Sequence, residues 1–488
     1  MKKKKYGLFK VLTVLLLVVV VLTYFIKDRQ GTISYLALGD VFLNYLQSFY
    51  YFFDTALFIL VVGGFYGVLN HIPAYKKMIN SIVNKVESKS KLFVVIATIV
   101  LALVSSFTGL NVLLLLVIPM VISIVLLLGY DKLVALSATI GSILIGFMGG
   151  IFLTVKDASS SYSTSYTTID KLVGLDGNFT NWLPKVLLLV VGLGLLIWYM
   201  LSHIKNVENG SASYAISKSD ALFFEVKDRT GKKVEIDETK KIRIWPLGIG
   251  LGLIFVLLVL GYLPWADLFG LEIFNDFHTW LTGLKIGDYT VFTSLISSNF
   301  TAFGTWAGLG NYMMAIIVVV VVVSIILMLI YRVKFEDAMD GFIYGVKKMI
   351  PAAMVVSLAY CVLVCSYNNG FIETIITNAN KQFGDNAIIH SLIVMLGSIF
   401  NVDLYYTSAG VFTSIVSSLS DKANLAVYAT MFQSLFGLVQ IVGPTSILLL
   451  VGLSYLDVPY KTWLKYIWRF IVELLIVILL VLMLVSLI

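Results

Sequence analysis

The sequence predicts an all-α polytopic membrane protein with about 11–13 spans, built as two inverted repeats with re-entrant hairpins and broken helices. Of its 488 residues, 59% are hydrophobic and 13% are charged, and the mean hydropathy is +0.94. Apolar runs of about 18 residues or more recur along the chain, as expected for membrane spans. This composition excludes a soluble enzyme, a nucleic-acid binder and a disordered protein as descriptions of the whole chain.

The N-terminus carries four lysines, Lys2 to Lys5, before the apolar stretch from Val11 to Ile26. A secretory signal would have a shorter apolar region and a cleavage site with small residues. We therefore expect a retained first span with a cytoplasmic N-terminus, in a plasma membrane of bacterial type. The candidate spans are 7–26, 50–70, 92–109, 111–128, 133–154, 184–203, 245–263, 313–331, 349–367, 388–402, 404–418, 424–456 and 463–487, and 289–307 reads as a re-entrant or interfacial segment.

The charges of the loops predict the topology. The loops 71–91, 204–244 and 458–469 are rich in lysine and arginine, whereas 157–183 and 264–288 are acidic. The positive-inside rule places the basic loops in the cytoplasm. This alternation is consistent only if 92–128 and 388–418 each return to the side from which they start.

The charged loop 205–244 divides the membrane part of the chain into two similar halves. We predict a first membrane half at 1–204 with a hairpin at about 92–128, and a second half at 245–488 with a hairpin at about 388–418. The segment 205–244 is charged and polar enough to be a solvated cytoplasmic linker. The hairpins open on opposite sides, which is typical of inverted repeats with a site near the bilayer midplane.

A long apolar stretch, 424–456, is interrupted by Val442-Gly443-Pro444-Thr445-Ser446. Pro444 has no backbone N–H, and its ring clashes with the carbonyl four residues back, so a helix stops or kinks there. The alternative to a broken helix is an ordinary proline kink. If a helix restarts after Pro444, the N–H groups of its first turn attract anions.

Asp403 lies in the middle of the apolar stretch 388–418. A carboxylate at membrane depth is costly and marks an ion, proton or substrate site by default. The alternative is a solvated residue in the turn between two short spans. We predict that Asp403 takes the coupling cation, either H⁺ or Na⁺, or the ammonium group of an amino acid.

Hydroxyl and amide groups cluster at both hairpins and at the break, where they can bind a carboxylate or a cation without adding charge. Single membrane serines and threonines are more often packing residues, but their clustering favours a substrate site. The predicted substrate-binding residues are Ser105, Ser106, Thr108, Gly109 and Asn111 in the first hairpin, Asn401, Thr407 and Ser408 in the second, and Pro444, Thr445 and Ser446 at the break. Gln433 and Gln440 are weaker candidates.

Catalytic chemistry finds little support in the sequence. The two cysteines, Cys361 and Cys365, lie on one helical face, where they are poorly placed for a disulfide. The four histidines have no metal-ligand spacing, and no His-Glu-x-x-His, P-loop or Rossmann pattern occurs. We therefore expect no catalytic residue, no cofactor and no metal beyond a bound Na⁺.

Four segments of the chain, two in each half, resemble a known family. Ile441-Val442-Gly443-Pro444-Thr445-Ser446, followed by Val458-Pro459-Tyr460-Lys461-Thr462-Trp463, is similar to the end of the YfcC-like carriers. These belong to the DcuC (C4-dicarboxylate anaerobic carrier) group of the ion transporter superfamily. Gly63-Gly64-Phe65-Tyr66-Gly67 and Leu128-Gly129-Tyr130-Asp131 resemble the first half of the same family. The resemblance implies secondary transport of small organic anions or amino acids on a scaffold of inverted repeats.

The two hairpin tips depart from the family pattern. The family's first tip is richer in glycine and is followed by acidic residues, whereas this chain has Ser-Ser-Phe-Thr-Gly-Leu-Asn at 105–111. The second tip of the family is rich in serine and glycine, whereas this chain has Phe-Asn-Val-Asp-Leu-Tyr-Tyr at 400–406. The identity of the substrate therefore does not follow from the resemblance.

We predict a secondary transporter of a small carboxylate-bearing solute, either an amino acid or an organic acid, that works by alternating access. It is coupled to H⁺ or Na⁺, or it exchanges solutes. The absence of Lys and Arg from the first tip argues against a dianion. The alternatives are a channel, a non-transporting membrane scaffold, or strictly a C4-dicarboxylate carrier. We expect the protein to lie in the lipid bilayer and to bind no nucleic acid. A homodimer is one of the assemblies that it could form.

Overall fold

A computed structural model of the chain describes residues 7–25, 36–156, 166–175, 181–209, 242–295, 302–306, 312–367, 370–383, 386–402, 404–419 and 424–487. In the first half the helices are α1 (Gly7–Phe25), α2 (Leu38–Tyr51), α3 (Phe53–Asn70), α4 (Pro73–Val86), α5 (Ser90–Thr108), α6 (Ile118–Leu127), α7 (Lys132–Leu136), α8 (Ser142–Met148), α9 (Ile169–Val173) and α10 (Trp182–Glu208). Val112–Leu116 forms a 3₁₀ turn before α6, and Ser137–Gly141 is a π turn between α7 and α8.

The second half begins with α11 (Trp245–Tyr262), α12 (Trp265–Phe269), α13 (Ile273–Gly283), α14 (Val291–Leu295), α15 (Tyr312–Ile330), α16 (Phe335–Tyr367) and α17 (Phe371–Phe383). It ends with α18 (Ala387–Phe400), α19 (Leu404–Thr407), α20 (Thr413–Ser418), α21 (Leu425–Val442), α22 (Ile447–Tyr455) and α23 (Tyr460–Ser486). Two short antiparallel ladders pair β1 (Thr154–Lys156) with β2 (Tyr166–Thr168), and β3 (Lys285–Ile286) with β4 (Tyr289–Thr290).

The prediction of an all-α polytopic membrane protein is confirmed. Within the described ranges, nine helices are long and apolar enough to cross a membrane. Three apolar helical stretches are shorter: Ile118–Leu127, Lys132–Met148 and Ala387–Phe400. They account for the larger span count predicted from the sequence, because they are arms of hairpins or halves of broken helices. Most of the predicted linker lies outside the described residues.

One helix starts well before its predicted bound. The sequence predicted a span from 349, but α16 begins at Phe335 and continues through Pro351 to Tyr367. The added residues include several charges, and hydropathy alone did not mark them as part of a span. Ala338 and Gly341 are buried, however, and continue the packed face of the helix. At 1.5 Å per residue, a helix of this length is about 50 Å long and exceeds the bilayer core.

Helices α3 and α16 pack against each other with their backbones in contact. A Cβ atom at Gly67 would collide with the carbonyl of Gly341, and one at Gly345 would collide with the carbonyl of Gly63. The two backbones are therefore in direct contact, as small residues permit in membrane helix pairs. The pairs also show that the helices are antiparallel, since Gly63 meets Gly345 and Gly67 meets Gly341.

The first predicted hairpin is present. Ser90 Oγ, at the start of α5, lies 2.8 Å from the hydroxyl oxygen of Tyr130, which follows α6. The chain therefore leaves through α5 and returns through Val112–Leu116 and α6 to the same end of the bundle. Lys91 forms an exposed ion pair of 2.8 Å with Glu208 at the end of α10. This end lies next to the lysine-rich segment 71–91, which was predicted as a loop but forms α4 over most of its length. It is called the basic end below.

The second predicted hairpin opens at the opposite end. Gly397 of α18 packs against Val411, so the two arms are antiparallel. His390, near the start of α18, hydrogen-bonds to Tyr428 near the start of α21. Asn181, which precedes α10, donates to the carbonyl of Ala426, also near the start of α21. Because Asn181 and Glu208 lie at opposite ends of α10, the two hairpins open at opposite ends of the bundle. The end with Asn181 is called the acidic end below.

Candidate functional site

The break at Pro444 is a full interruption of the helix. Helix α21 ends at Val442 and α22 begins at Ile447. A break inside a buried stretch frees carbonyl groups that lose their partners within the helix. Two of them are satisfied by the last helix: Trp463 Nε1 donates to the carbonyl of Ile441 at 2.9 Å, and the Tyr460 hydroxyl donates to the carbonyl of Val442. The prediction of a broken helix is therefore confirmed, and the kink alternative is wrong.

The broken segment holds the tip of the second hairpin. Thr445 Oγ1 donates to the carbonyl oxygens of Ile399 at 2.7 Å and of Asn401 at 3.1 Å. Gln440 Nε2, on α21, also donates to the Asn401 carbonyl, at 3.3 Å. Asn401 closes the end of α18, where the last carbonyl groups of the helix have no partner within the helix. The tip and the break are therefore one connected unit.

A small cavity lies where the first hairpin meets this unit. Its volume is about 20 Å³, which is enough for one water molecule or ion. Asn111 and Val112 enter it from the first hairpin, and Ser446 enters it from the break. The other lining residues are Leu144, Phe147, Val402, Leu404, Phe436, Gln440, Ile447 and Leu448. The cavity thus joins residues that are far apart in the sequence.

Three buried side-chain oxygens around this region have no hydrogen-bond partner among the described residues. They are Asn401 Oδ1, Ser446 Oγ and Gln433 Oε1. Each residue is at most 1% exposed. Leaving a buried polar atom unpaired costs free energy, so such atoms call for an explanation such as a bound ion or ligand.

The end of α8, in the first half, is linked to the same helix and is called the second break below, although the chain continues from it into β1. Helix α8 ends at Met148 and is followed by Gly149-Gly150. Gln433 Nε2, on α21, donates to the carbonyls of Met148 at 3.1 Å and Gly150 at 2.8 Å. Gln433 and Gln440 are about 10 Å apart along the axis of α21. One helix therefore contacts both breaks through two glutamines.

A sequence model of the C4-dicarboxylate anaerobic carrier family, DcuC, matches residues 51–486, nearly the whole chain. The chain belongs to the DcuC family. No curated protein and no solved structure matches the chain. The family is one of transporters, and the nine apolar helices fit a multi-pass membrane protein.

In this DcuC chain, two of the serines predicted as ligands bond elsewhere. Ser105 Oγ donates to the carbonyl of Ile143 at 2.9 Å, and Ser106 Oγ donates to the carbonyl of Gly149 at 2.8 Å. The Ser106 carbonyl in turn accepts the N–H of Ile151. These serines pin the first hairpin to α8 and its break. Their side chains are absent from the described lining of the cavity.

The other predicted residues divide into turn formers and buried residues. Thr108 Oγ1 bonds to the Val104 carbonyl, and Gly109 has a φ of +71°, which favours glycine. Thr407 and Ser408 are buried at the start of the π turn Ser408–Phe412, and neither is among the described residues that line the cavity. Asp403 lies outside the described residues.

Sequence reasoning undervalued the two glutamines of α21. Gln433 and Gln440 were ranked below the hydroxyl residues, yet each holds a backbone carbonyl at a different break. The sequence does carry a signal for them. An otherwise apolar helix that leads into a proline break has amide side chains at two positions, two turns apart. Gln433 and Gly150 are 283 residues apart in the sequence. A local sequence pattern cannot predict a contact between residues so far apart.

Proposed function

We propose that this protein is a secondary active transporter of a small carboxylate-bearing solute, with an organic acid as the preferred class, and that it works by alternating access. The observation that carries the proposal is the cavity between Asn111 of the first hairpin and Ser446 of the break. Membership of a C4-dicarboxylate carrier family supports the solute class. Broken helices near the midplane are where secondary transporters bind their substrates.

The start of α22 offers a site for one carboxylate. Ser446 is the N-cap residue of α22, but its side chain makes no capping hydrogen bond. The N–H groups of Ile447 and Leu448 lie in the first turn, where a helix has no internal acceptors for them. Free N–H groups and the helix dipole together favour an anion. We assign one carboxylate of the solute to Ser446 and this first turn.

The charge balance favours a coupling cation. None of the described residues that line the cavity is basic. A cation would neutralise part of the solute's charge, and the unpaired oxygens of Asn401 and Ser446 are suitable neutral ligands for Na⁺. Asp403 follows Val402, a lining residue, in the sequence. We propose that Asp403 completes the site by binding the cation or a proton, or the ammonium group if the solute is an amino acid.

The size of the cavity supports alternating access. A volume of about 20 Å³ is too small for a four-carbon acid. Binding therefore requires the surrounding hairpins and helices to separate. Since the two hairpins open at opposite ends, movement of one would expose the site to the basic end and movement of the other to the acidic end. This is the behaviour expected of inverted repeats.

A thermal-shift screen of the purified protein against organic acids and amino acids, with and without Na⁺, tests the solute class. We expect C4-dicarboxylates, which the family description names, to raise the melting temperature, because ligands that bind the native state stabilise it. The first tip has no Lys or Arg to balance a dianion, so the rise should be larger in Na⁺ if Na⁺ is the coupling ion. If only amino acids stabilised the protein, the proposed solute class would change from organic acids to amino acids. The absence of any shift from both classes would contradict the proposal.

A further inference from the structure

A second cavity lies at the other end of α22. Its volume is about 30 Å³, and it is bounded by α3 and α16 on one side and by α6 and α22 on the other. Its lining includes Tyr66 and Asn70 on α3, Tyr75 on α4, and Tyr344 and Lys348 on α16. It also includes the glycines Gly63, Gly67 and Gly345 of the α3–α16 contact.

The two cavities lie along the contact between the segment 112–127 and α22, which is called the seam below. The first cavity touches Val112 and Ile447, whereas the second touches Ser123 and Tyr455. The segment 112–127 and α22 therefore run side by side, and both lead from the candidate solute site to the second cavity. The eight residue steps of α22 span about 12 Å. Leu449 and Leu450, between the cavities, are fully buried, so the seam is closed by apolar packing in this conformation.

The second cavity lies towards the basic end. Tyr455 precedes the basic segment 458–469, which enters α23, and Asn70 precedes the lysine-rich segment 71–91, most of which is α4. Lys348 is exposed, and its ammonium group lies 4.9 Å from the centre of the Tyr344 ring. A cation at the mouth of a crevice with low-dielectric walls raises the local concentration of anions. The neighbouring Lys347 is also exposed, but it is not among the lining residues.

We propose that this second cavity is the vestibule through which the anionic solute enters or leaves the site at the basic end, and that Lys348 attracts its carboxylate there. The proposal rests on the proposed function, because it names the access route to that site. The α3–α16 pair forms the fixed side of this vestibule. The solute would pass when the contact between α22 and the segment 112–127 opens. Lys348 thereby affects the affinity for solute from this side without taking part in the final site.

The vestibule can be tested without a known solute, by thiol chemistry at Asn70→Cys. The native cysteines, Cys361 and Cys365, are buried and give little background. In inside-out vesicles we expect a membrane-impermeant anionic methanethiosulfonate to label Cys at position 70, whereas right-side-out vesicles should stay unlabelled. Adding Lys348→Gln should slow the anionic reagent relative to a cationic one about three- to fivefold at low salt, and Lys347→Gln should change this ratio little.

Transport gives the second readout. The half-saturation concentration of radiolabelled succinate entering inside-out vesicles should rise about three- to fivefold in Lys348→Gln and stay unchanged in Lys347→Gln, with similar maximal rates. The vestibule is overturned if position 70 is unreactive from the basic end, or if both lysine variants alter the labelling ratio equally. A wild-type protein that moves no solute, but shows the predicted labelling, would sink the proposed function and leave the charged vestibule standing.

Discussion

Thr445 Oγ1 lies 3.1 Å from the carbonyl oxygen of Asn401, and it joins the broken helix to the tip of the second hairpin. The same hydroxyl donates to the carbonyl of Ile399 at 2.7 Å. Gln440 approaches the Asn401 carbonyl from the preceding turn of α21. Any movement of the hairpin tip must therefore break these bonds or carry the broken helix with it. In the proposed mechanism, this coupling connects hairpin motion to the candidate solute site.

Thr445→Val removes the hydroxyl while keeping the shape of a fully buried side chain. We expect the free energy of unfolding to fall by about 1–3 kcal/mol, because two buried carbonyls lose a donor. Solute affinity should fall as well, since the hairpin tip is no longer fixed to the break. Thr445→Ser keeps the hydroxyl and should restore affinity in the thermal-shift assay. Equal loss in both variants would show that the methyl group matters more than the hydrogen bonds.

Ser446→Ala should separate binding from stability. Its hydroxyl has no hydrogen-bond partner among the described residues, so its removal should leave the free energy of unfolding unchanged or raise it by up to about 1–3 kcal/mol, because an unpaired buried polar group is lost. Solute binding should weaken about tenfold, equivalent to about 1.4 kcal/mol, because a ligand contact is lost. Ser454→Ala, on the same helix but outside the cavity lining, is the control and should bind normally. A destabilised Ser446→Ala protein with unchanged affinity would assign the hydroxyl a structural role.

Trp463→Phe tests how the break is tolerated. Trp463 is fully buried and donates to the carbonyl of Ile441, a group that the break leaves without a helical partner. We expect the free energy of unfolding to fall by about 1–3 kcal/mol in chemical denaturation. Trp468→Phe is the matched control, because Trp468 is 55% exposed. Similar stability of the two variants would mean that water or another group replaces the indole donor.

Gly345→Ala tests the contact between α3 and α16. The added methyl group would overlap the carbonyl of Gly63. We expect destabilisation of about 1–3 kcal/mol, because the helices must separate. Gly194→Ala in α10 meets nothing within 4 Å and should be neutral or stabilising by up to about 1 kcal/mol. If the two variants melted at the same temperature, the close packing of this pair would not be essential.

Asp403→Asn addresses the coupling cation. The substitution removes the carboxylate at little cost in volume, so dependence of solute uptake on Na⁺ or on pH should disappear or shift. Asp403→Glu retains the charge and should keep part of the coupling. The measurement is uptake into proteoliposomes across a series of Na⁺ concentrations and pH values. Coupling that is unchanged in Asp403→Asn would make this residue structural.

The sequence predicted the fold well where local chemistry decides it. Pro444 lacks the N–H that a continuous helix needs, so the break could be placed within a few residues. The alternating loop charges required 92–128 and 388–418 to be hairpins, and the contact of Ser90 with Tyr130 brings the two ends of the first segment together.

Side-chain directions at the site could not be predicted in the same way. Ser105 and Ser106 have the residue types of a binding site, but packing against α8 turns their hydroxyls to backbone carbonyls. The roles of Gln433 and Trp463 depend on contacts between distant helices. Such contacts leave no periodic signal, because each needs only one polar residue at one position.

Counterflow in proteoliposomes tests the central claim most directly, because a carrier and a channel behave differently in it. Vesicles loaded with unlabelled succinate should accumulate labelled succinate transiently above its outside concentration, with a rate that saturates. The half-saturation concentration should rise about tenfold in Ser446→Ala and stay unchanged in Ser454→Ala. A current that is linear in voltage, with no transient accumulation and no effect of Ser446→Ala, would contradict an alternating-access carrier with its site at this break.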